Sequence, residues 1–205
     1  TYAPQPSSKP GDAKYADLNG DGKISPADRT YLGNTTPHYI LGFGNDFRYK
    51  GIDLNVFFQG AFRYHLFDMN RLVLESTTST DALNRFVPGV NENTSIPREG
   101  YFMGTYSNNY VNSRFVENGS YLRLKSLSLG YNLPKSLFTH IKHIQGLRIY
   151  GAAQNLLTFT SYKGTDPEVN AHTSSATAIN TGGGLDFNSF PAFRTYALGL
   201  RLSLQ

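Results

Sequence analysis

The chain has 205 residues, of which 39% are hydrophobic, 14% aromatic and 17% charged, and its formal net charge is +4. It contains no cysteine, which excludes a disulfide framework, a thiolate metal site and a cysteine nucleophile. No stretch approaches the roughly 20 apolar residues of a membrane-spanning helix, and the Lys and Arg residues are too scattered to indicate nucleic acid as a partner.

The chain opens at Thr1 without a Met or a signal peptide, so we expect either a processed start or a part of a longer protein. The first predicted element is a calcium-type loop, DLNGDGKISPAD, in residues 17–28. Loops of this type place oxygen ligands at alternate positions and a glycine at the sharp turn between them. We predict a structural Ca²⁺ site, with Gly22 at the turn and these ligands: Asp17, Asn19, Asp21, the Lys23 carbonyl, Ser25 and Asp28.

The same residues also fit a turn without a metal. Ser25, Pro26 and Asp28 form the pattern of a helix start, with Ser at the N-cap and Pro at the first helical position. Asp and Asn side chains are also common in turns that bind nothing. The two interpretations are compatible, because such loops usually lead into a short helix. No amphipathic helix precedes Asp17, so this is a single loop and not one of a pair.

Five later segments alternate between apolar and polar residues, although residues 147–158 alternate less cleanly than the others. Such alternation is typical of β-strands with two different faces. Lys50-Gly51 predicts a tight hairpin between the first two segments. Within the third, the apolar parity changes, which predicts a β-bulge near Lys125-Ser126. The predicted strands are 39–49, 52–62, 121–132, 147–158 and 195–204.

The length of these segments favours a membrane barrel over a soluble β-sandwich, which also alternates. Each has about 10 to 12 residues, close to the roughly 9 to 11 that cross a bilayer obliquely. Aromatic residues stand at several strand ends, as interfacial girdles require. The connections alternate between short turns at 50–51 and 134–146 and long polar stretches at 63–119 and 159–192. A membrane barrel has short periplasmic turns and long extracellular loops.

Several stretches resemble the C-terminal part of TonB-dependent outer-membrane transporters of the SusC/RagA type. In chain order these are GDAKYADLNGDGKISPADRTYLGNTTP, YKGIDLNVFFQGAF, FVENGSYLRLKSLSLGYNLP, LRIYGAAQNLLTFTSYKGTDPEV and FPAFRTYALGLRLSL. The resemblance implies an all-β fold: about five final antiparallel strands of a barrel of about 22 strands. Residues 1–205 would then be the C-terminal part of the barrel, with an extracellular calcium-type loop in 1–38 and strands and loops in 39–205.

The resemblance also implies a function for the parent protein. It would import oligosaccharides or peptides across the outer membrane of a Gram-negative, Bacteroidetes-type bacterium. A SusD-like surface lipoprotein would be its partner, and the TonB complex would supply energy through a region absent from this chain. Such barrels commonly finish on an aromatic residue, whereas this chain stops at Gln205.

The sequence contains four further groups of residues that are weaker candidates for a functional site. His140 and His143 are spaced like metal ligands but have no nearby carboxylate. Residues 163–168, KGTDPE, look like a site and resemble a family motif at the start of the last outer loop, although a structural turn fits them better. The glycines 182–184 lack a phosphate-loop lysine and predict a flexible loop. Aromatic residues in the long connections could stack on sugar rings or pack on the lipoprotein: Tyr101, Phe102, Tyr106 and Tyr110.

Two other functions fit a calcium-stabilised β-domain. One is a secreted domain that binds carbohydrate or protein; a dockerin-type module, however, would carry a second calcium loop. The other is a glycan-degrading enzyme, which would need a recognisable pair of placed carboxylates. We find neither feature in the sequence, and we therefore expect no enzymatic activity.

Overall fold

The computed structural model describes residues 2–76, 80–98, 112–139, 143–168 and 183–204. Contacts divide the chain into two compact units. One unit comprises Thr1–Asn34, Leu66–Glu117 and Asn170–Asn188, and the other comprises Thr35–His65, Asn118–Val169 and Ser189–Gln205. The second unit carries the five long strands and is called the sheet unit below.

The regular elements follow in chain order. The strands are β1 (Tyr39–Tyr49), β2 (Ile52–Phe62), β3 (His65–Asp68), β4 (Val116–Asn118), β5 (Tyr121–Asn132), β6 (Ile144–Thr160), β7 (Leu185–Asp186) and β8 (Thr195–Leu204). The α-helix α1 spans Met69–Ser76, and short 3₁₀ helices span Pro26–Asp28, Asp81–Asn84, Ser113–Phe115 and Lys135–Leu137.

The five predicted strands form one antiparallel sheet in the order β1-β2-β5-β6-β8. The bounds of β1, β2, β5 and β8 agree with the prediction, while β6 is longer than the predicted 147–158 at both ends. Between β1 and β2, Lys50 and Gly51 have φ angles of 46° and 87°. Two positive φ angles in succession characterise the two-residue hairpin turn whose twist matches that of the flanking strands.

The predicted bulge is confirmed at Lys125. Phe57 and Phe58 of β2 are adjacent, yet they pair with Ser126 and Leu124 of β5, so Lys125 is the extra residue. Because side chains alternate along a strand, one extra residue exchanges the faces of everything beyond it. The bulge therefore places the leucines on its two sides on the same face of the sheet.

The register gives the sheet two different faces. The apolar face carries aliphatic and aromatic side chains from all five strands, interrupted by Asn45. Many of these side chains are exposed, and Leu198 reaches 92%. Its main members are Tyr39, Leu41, Phe43, Phe47, Tyr49, Ile52, Leu54, Val56, Phe58, Phe62, Leu122, Leu124, Leu127, Leu129, Tyr131, Ile149, Leu157, Phe159, Tyr196, Leu198, Leu200 and Leu202.

The opposite face, the polar face, carries most of the charged and amide side chains of the strands. Its polar members are Asp46, Arg48, Asp53, Asn55, Gln59, Arg123, Ser126, Ser128, Arg148, Gln154, Thr158, Thr195 and Arg201. Both short connections of the sheet lie at one end of the strands, and the long connections leave from the other end. A polar face backed by an apolar one gives the sheet unit two distinct surfaces.

The long connections contain structure that the alternation did not predict. We expected residues 63–119 and 159–192 to be long polar connections, but β3, α1, β4 and β7 lie within them. The three strands form a small sheet in the order β4-β3-β7. They have two to four residues each, too few to show a period of two in the sequence.

Ion pairs and one aromatic side chain hold this part of the chain together. Arg71 of α1 pairs with Glu75 at 2.7 Å and with Glu117 at 3.0 Å, and Arg114 pairs with Glu75 at 2.6 Å. Phe115 is fully buried, and both arginines lie within 6 Å of its ring. Among the described residues, no helix is long and apolar enough to cross a membrane.

Candidate functional site

The predicted calcium ligands lie in an exposed turn held by its own side chains. The carboxylate of Asp17 accepts the N–H groups of Gly20 and Gly22, both at 2.8 Å. The side-chain oxygen of Asn19 accepts the Asp21 N–H at 3.0 Å, and that of Asp21 accepts the Lys23 N–H at 2.9 Å. The side chains of this turn therefore hold much of its backbone, and the Ile24 N–H also donates to the Pro4 carbonyl at 3.3 Å.

The helix start is confirmed at the end of the same loop. Ser25 caps the 3₁₀ helix Pro26–Asp28 and forms a capping box with Asp28. The Asp28 carboxylate accepts the Ser25 N–H at 2.7 Å and the Leu18 N–H at 2.9 Å, so it closes the loop onto its beginning. The backbone hydrogen bond from Ser25 lowers the pKa of Asp28 below its ordinary value.

The donor chemistry of this loop suits Ca²⁺, which prefers oxygen ligands. An ionised carboxylate has about four lone-pair sites, so the backbone hydrogen bonds leave oxygens of Asp17 and Asp28 with lone pairs for an ion. No three His, Asp or Glu side chains in the described part of the chain converge closely enough to hold a metal. The carboxylates of Asp17, Asp21 and Asp28 therefore do not form a ready cluster, and calcium binding stays a prediction.

Most of the other candidates from the sequence lie outside the described residues. These are His140, Gly182 and the loop aromatics Tyr101, Phe102, Tyr106 and Tyr110. His143 is described and lies in the turn before β6 with a φ angle of 78°.

The KGTDPE turn, in contrast, lies in a charge cluster of the sheet unit. Arg123 of β5 is only 2% exposed. Its Nε donates to Thr158 of β6 at 2.9 Å, its Nη1 donates to Glu168 at 2.8 Å, and its Nη2 donates to Asp166. Lys125 reaches both carboxylate oxygens of Glu168, at 2.8 and 2.6 Å. We call these four charged residues the Arg123 cluster: Arg123, Lys125, Asp166 and Glu168.

The electrostatics of Asp166 follow from this arrangement. Burial by itself would raise the pKa of the Asp166 carboxyl, but hydrogen bonds from Arg123 and from the backbone of Glu168 and Ala192 lower it below its ordinary value. Asp166 is therefore held as the charged partner of Arg123. Nearby, burial raises the pKa of Tyr64 to about 12, and its hydroxyl donates to the carbonyl of Pro167 at 2.8 Å.

A second charge pair lies on the polar face near the short turns. Arg148 of β6 donates to the Asp53 carboxylate of β2, and Asn132 of β5 approaches the same carboxylate at 3.4 Å. On the adjoining strand pair, Asn55 donates to Asp46 at 2.7 Å. The polar face is thus lined by paired charges and amides near its turn end and by the Arg123 cluster near its loop end.

The sequence did not single out Arg123, Lys125, Asp53 or Arg148. The available signal for Arg123, Asp53 and Arg148 was their parity, since each stands opposite the apolar positions of its strand, whereas Lys125 is the extra residue of the bulge. Parity gives the face of the sheet on which a side chain lies but not the residue that it contacts. Arg123 and Asp166 are separated by 43 positions and come into contact only when β5, β6 and the following turn are assembled.

Comparisons with known proteins agree with this architecture. No protein-family model matches the chain. It is 42% identical over 198 residues to TonB-dependent receptor P3 of Formosa agariphila, covering 95% of this chain and 19% of that protein. It is 33% identical to TonB-dependent receptor P26 of the same organism, covering 94% of this chain and 20% of that protein. TonB-dependent receptor SusC of Bacteroides thetaiotaomicron is 27% identical, with 95% of this chain and 18% of that protein covered.

Solved structures give the same answer for the fold. In the open-open state of the RagAB peptide importer, the match covers 92% of this chain and 20% of that chain, with a TM-score of 0.68 and 29% identity. A second structure, of the RagAB peptide transporter, matches with a TM-score of 0.63 and 31% identity over 82% of this chain and 17% of that chain. The chain thus spans about a fifth of the length of the relatives that it matches. By sequence and by fold, it is a homologue of part of the SusC/RagA-type TonB-dependent receptors.

Proposed function

We propose that this chain forms part of the wall of an outer-membrane importer that depends on TonB. The observation that carries the proposal is the division of the sheet into an exposed apolar face and a charged polar face. In a membrane barrel, strands alternate between residues that meet lipid and residues that line the interior. The apolar face would therefore contact lipid acyl chains, and the polar face would line the import path.

The ends of the sheet support an orientation for this wall. Membrane barrels of bacteria have short periplasmic turns and longer extracellular loops. The turns after β1 and β5 would then lie in the periplasm, while the segments that precede β1 and follow β2 and β6 would lie outside the cell. The outward edges of β1 and β8 would pair with further strands of a barrel of about 22 strands, because open edges are not tolerated in lipid.

The relatives suggest the cargo and the partner. RagAB is described as a peptide importer, and SusC is a TonB-dependent receptor. We propose peptides or oligosaccharides as the substrate class, a SusD-like lipoprotein at the extracellular mouth, and TonB as the energy source. Growth of a deletion strain on oligosaccharides and on peptides separates the two substrate classes.

The function is tested in a Bacteroidetes strain that carries the full-length gene. A deletion strain and a strain complemented with the gene are grown on a panel of oligosaccharides and peptides as sole nutrient. We expect the deletion to abolish growth on one class of compound and the complementing gene to restore it. The protein should fractionate with the outer membrane and require detergent for extraction. Growth of the deletion strain on every compound, or extraction without detergent, would contradict the proposal.

We further propose that residues 17–28 bind Ca²⁺ in a structural role. Asp17, Asn19, Asp21, Ser25 and Asp28 would contribute side-chain oxygens and Lys23 its carbonyl, and the ion would stiffen the turn. The test is limited proteolysis of the full-length protein in detergent, with Ca²⁺ or with a chelator. We expect faster cleavage within 17–28 after chelation and unchanged strands, and an Asp17→Ala variant should be cleaved fast in both conditions. Equal cleavage with and without Ca²⁺ would contradict calcium binding.

A further inference from the structure

A single carboxylate holds together the two ends of the connection between β6 and β8. Oδ1 of Asp166 accepts the N–H of Glu168 at 2.9 Å, on the outgoing side of the connection. Oδ2 accepts the N–H of Ala192 at 2.8 Å, shortly before β8 begins. Asp166 therefore closes the base of this connection.

Arg123 ties that base to the sheet. Its side chain stands on the polar face of β5, and its three donor nitrogens reach Thr158, Glu168 and Asp166. The guanidinium is planar and presents its donors in a fixed fork, so three simultaneous contacts define the position of the acceptors closely. The bond to Thr158 also fixes the fork relative to the neighbouring strand β6.

Further contacts surround this pair. The Tyr64 hydroxyl donates to the Pro167 carbonyl at 2.8 Å, and Asn155 of β6 donates to the Phe193 carbonyl at 3.0 Å. Both the outgoing and the returning segments are thus bonded to residues at the loop end of the sheet unit.

Burial makes this attachment hard to break. The side chains of Arg123 and Asp166 are 2% and 5% exposed, whereas those of Lys125 and Glu168 are 23% and 34% exposed. Removing one partner from a buried ion pair leaves an uncompensated charge in a poorly solvated place, which is strongly unfavourable. The buried half of the Arg123 cluster is therefore the rigid part, and the Lys125–Glu168 half is open to solvent.

We propose that Arg123 is a positioning residue which, through Asp166, locks the base of the β6–β8 connection onto the polar face of the sheet. This inference rests on the proposed function in one respect: the polar face lines the import path, so the locked base is a fixed part of the wall past which substrate moves. The locking itself is a property of the folded protein and does not depend on transport.

Amide hydrogen exchange of the full-length protein in detergent tests the lock. We expect Arg123→Gln to raise exchange roughly a hundredfold or more in peptides that contain the Glu168 and Ala192 amides, because the buried Asp166 loses its counter-charge. Arg123→Lys keeps one charged contact and should restore part of the protection. The double variant Arg123→Gln with Asp166→Asn should be less than additive, as expected for residues in direct contact.

The second charge pair of the polar face supplies a matched control. Arg148→Gln removes the partner of Asp53 near the short turns and should leave exchange at Glu168 and Ala192 unchanged. All variants should keep the heat-modifiable gel mobility of the folded barrel. Unchanged exchange at these two amides in a folded Arg123→Gln protein would overturn the lock, as would an equal effect of Arg148→Gln.

Uptake of a dye-labelled decapeptide and a dye-labelled heptasaccharide then tests the link to import. For the probe that the parent protein imports, Arg123→Gln should raise the half-saturating concentration about tenfold with little change in the maximal rate, the pattern of lost binding. Unchanged uptake together with faster exchange would overturn the role in import but not the lock. Failure of the parent protein to import either probe would count against the proposed substrate classes, while the exchange data would still decide the lock.

Discussion

At the scale of single residues, aspartates shape two turns of this chain by accepting backbone N–H groups. Asp28 closes the loop at residues 17–28 in this way, and Asp166 closes the base of a long connection. A carboxylate that accepts such bonds is stabilised in its charged form, and this lowers its pKa. The same geometry therefore couples both turns to pH.

The loop ending at Asp28 should loosen in acid. Because the pKa of Asp28 is lowered in the folded protein, the unfolded chain binds its proton more tightly than the folded chain. The stabilisation is complete above the ordinary aspartate pKa of about 3.9 and is lost as the pH falls through the lower, folded value. Exchange at the Ser25 and Leu18 amides, corrected for intrinsic rates, should rise in that range. In Asp28→Asn this pH dependence should vanish; protection that grows on acidification would contradict the prediction.

A glycine in β2 is required by a close approach of neighbouring backbone. A Cβ atom at Gly60 would lie 2.7 Å from the carbonyl oxygen of Tyr121 in the adjacent strand. We expect Gly60→Ala to lower the free energy of unfolding of the full-length protein by about 1–3 kcal/mol, a typical cost of overpacking. Urea titration in detergent measures it. The matched control is Gly146→Ala in β6, where a Cβ meets nothing within 4 Å; equal effects of the two substitutions would contradict the explanation.

At the scale of elements, the alternation of apolar and polar residues predicted the long strands and missed the short ones. Four of the five strands of ten or more residues showed a period of two, β6 alternated less cleanly, and even the bulge followed from a change of parity around Lys125. The strands β3, β4 and β7 are too short for such a signal. The calcium-type turn was predicted because its hydrogen bonds are local, whereas the Arg123–Asp166 pair depends on tertiary assembly and was not.

The bulge makes a sharp prediction for β5. Deletion of Lys125 would remove the extra residue, so Leu122 and Leu124 would still share the face of Leu127 and Leu129 in a regular strand. Deletion of Ser128, which lies outside the bulge, would instead move Leu129 to the face opposite Leu127, because one residue exchanges the faces of a strand. We expect the Ser128 deletion to fail to assemble, measured as loss of heat-modifiable gel mobility of the full-length protein in outer-membrane fractions, and the Lys125 deletion to assemble. Equal behaviour of the two deletion variants would show that the bulge does not set the faces.

At the scale of the whole molecule, substitutions on the apolar face test whether the sheet borders lipid or water. Leu198 lies in the middle of β8 with 92% of its surface exposed, and its neighbour Ala197 belongs to the polar face. An arginine on the lipid face near mid-bilayer costs about 2–4 kcal/mol. Leu198→Arg should therefore lower the yield of folded full-length protein in liposomes, whereas Ala197→Arg should be tolerated. If both variants fold equally well, the apolar face does not meet lipid.

The short turns at one end of the sheet also determine the order in which its strands pair during folding. The hairpins β1–β2 and β5–β6 join strands that are close in the chain, while β2–β5 and β6–β8 join strands separated by long connections. Local pairings close first, because loop-closure entropy delays distant ones. The two hairpins should therefore form early as separate ribbons, and the docking of β2 onto β5 should be the slow step. The turn at Lys50-Gly51 therefore influences the rate at which the β1–β2 hairpin forms. The long connections influence the rate at which the separate hairpins dock onto each other.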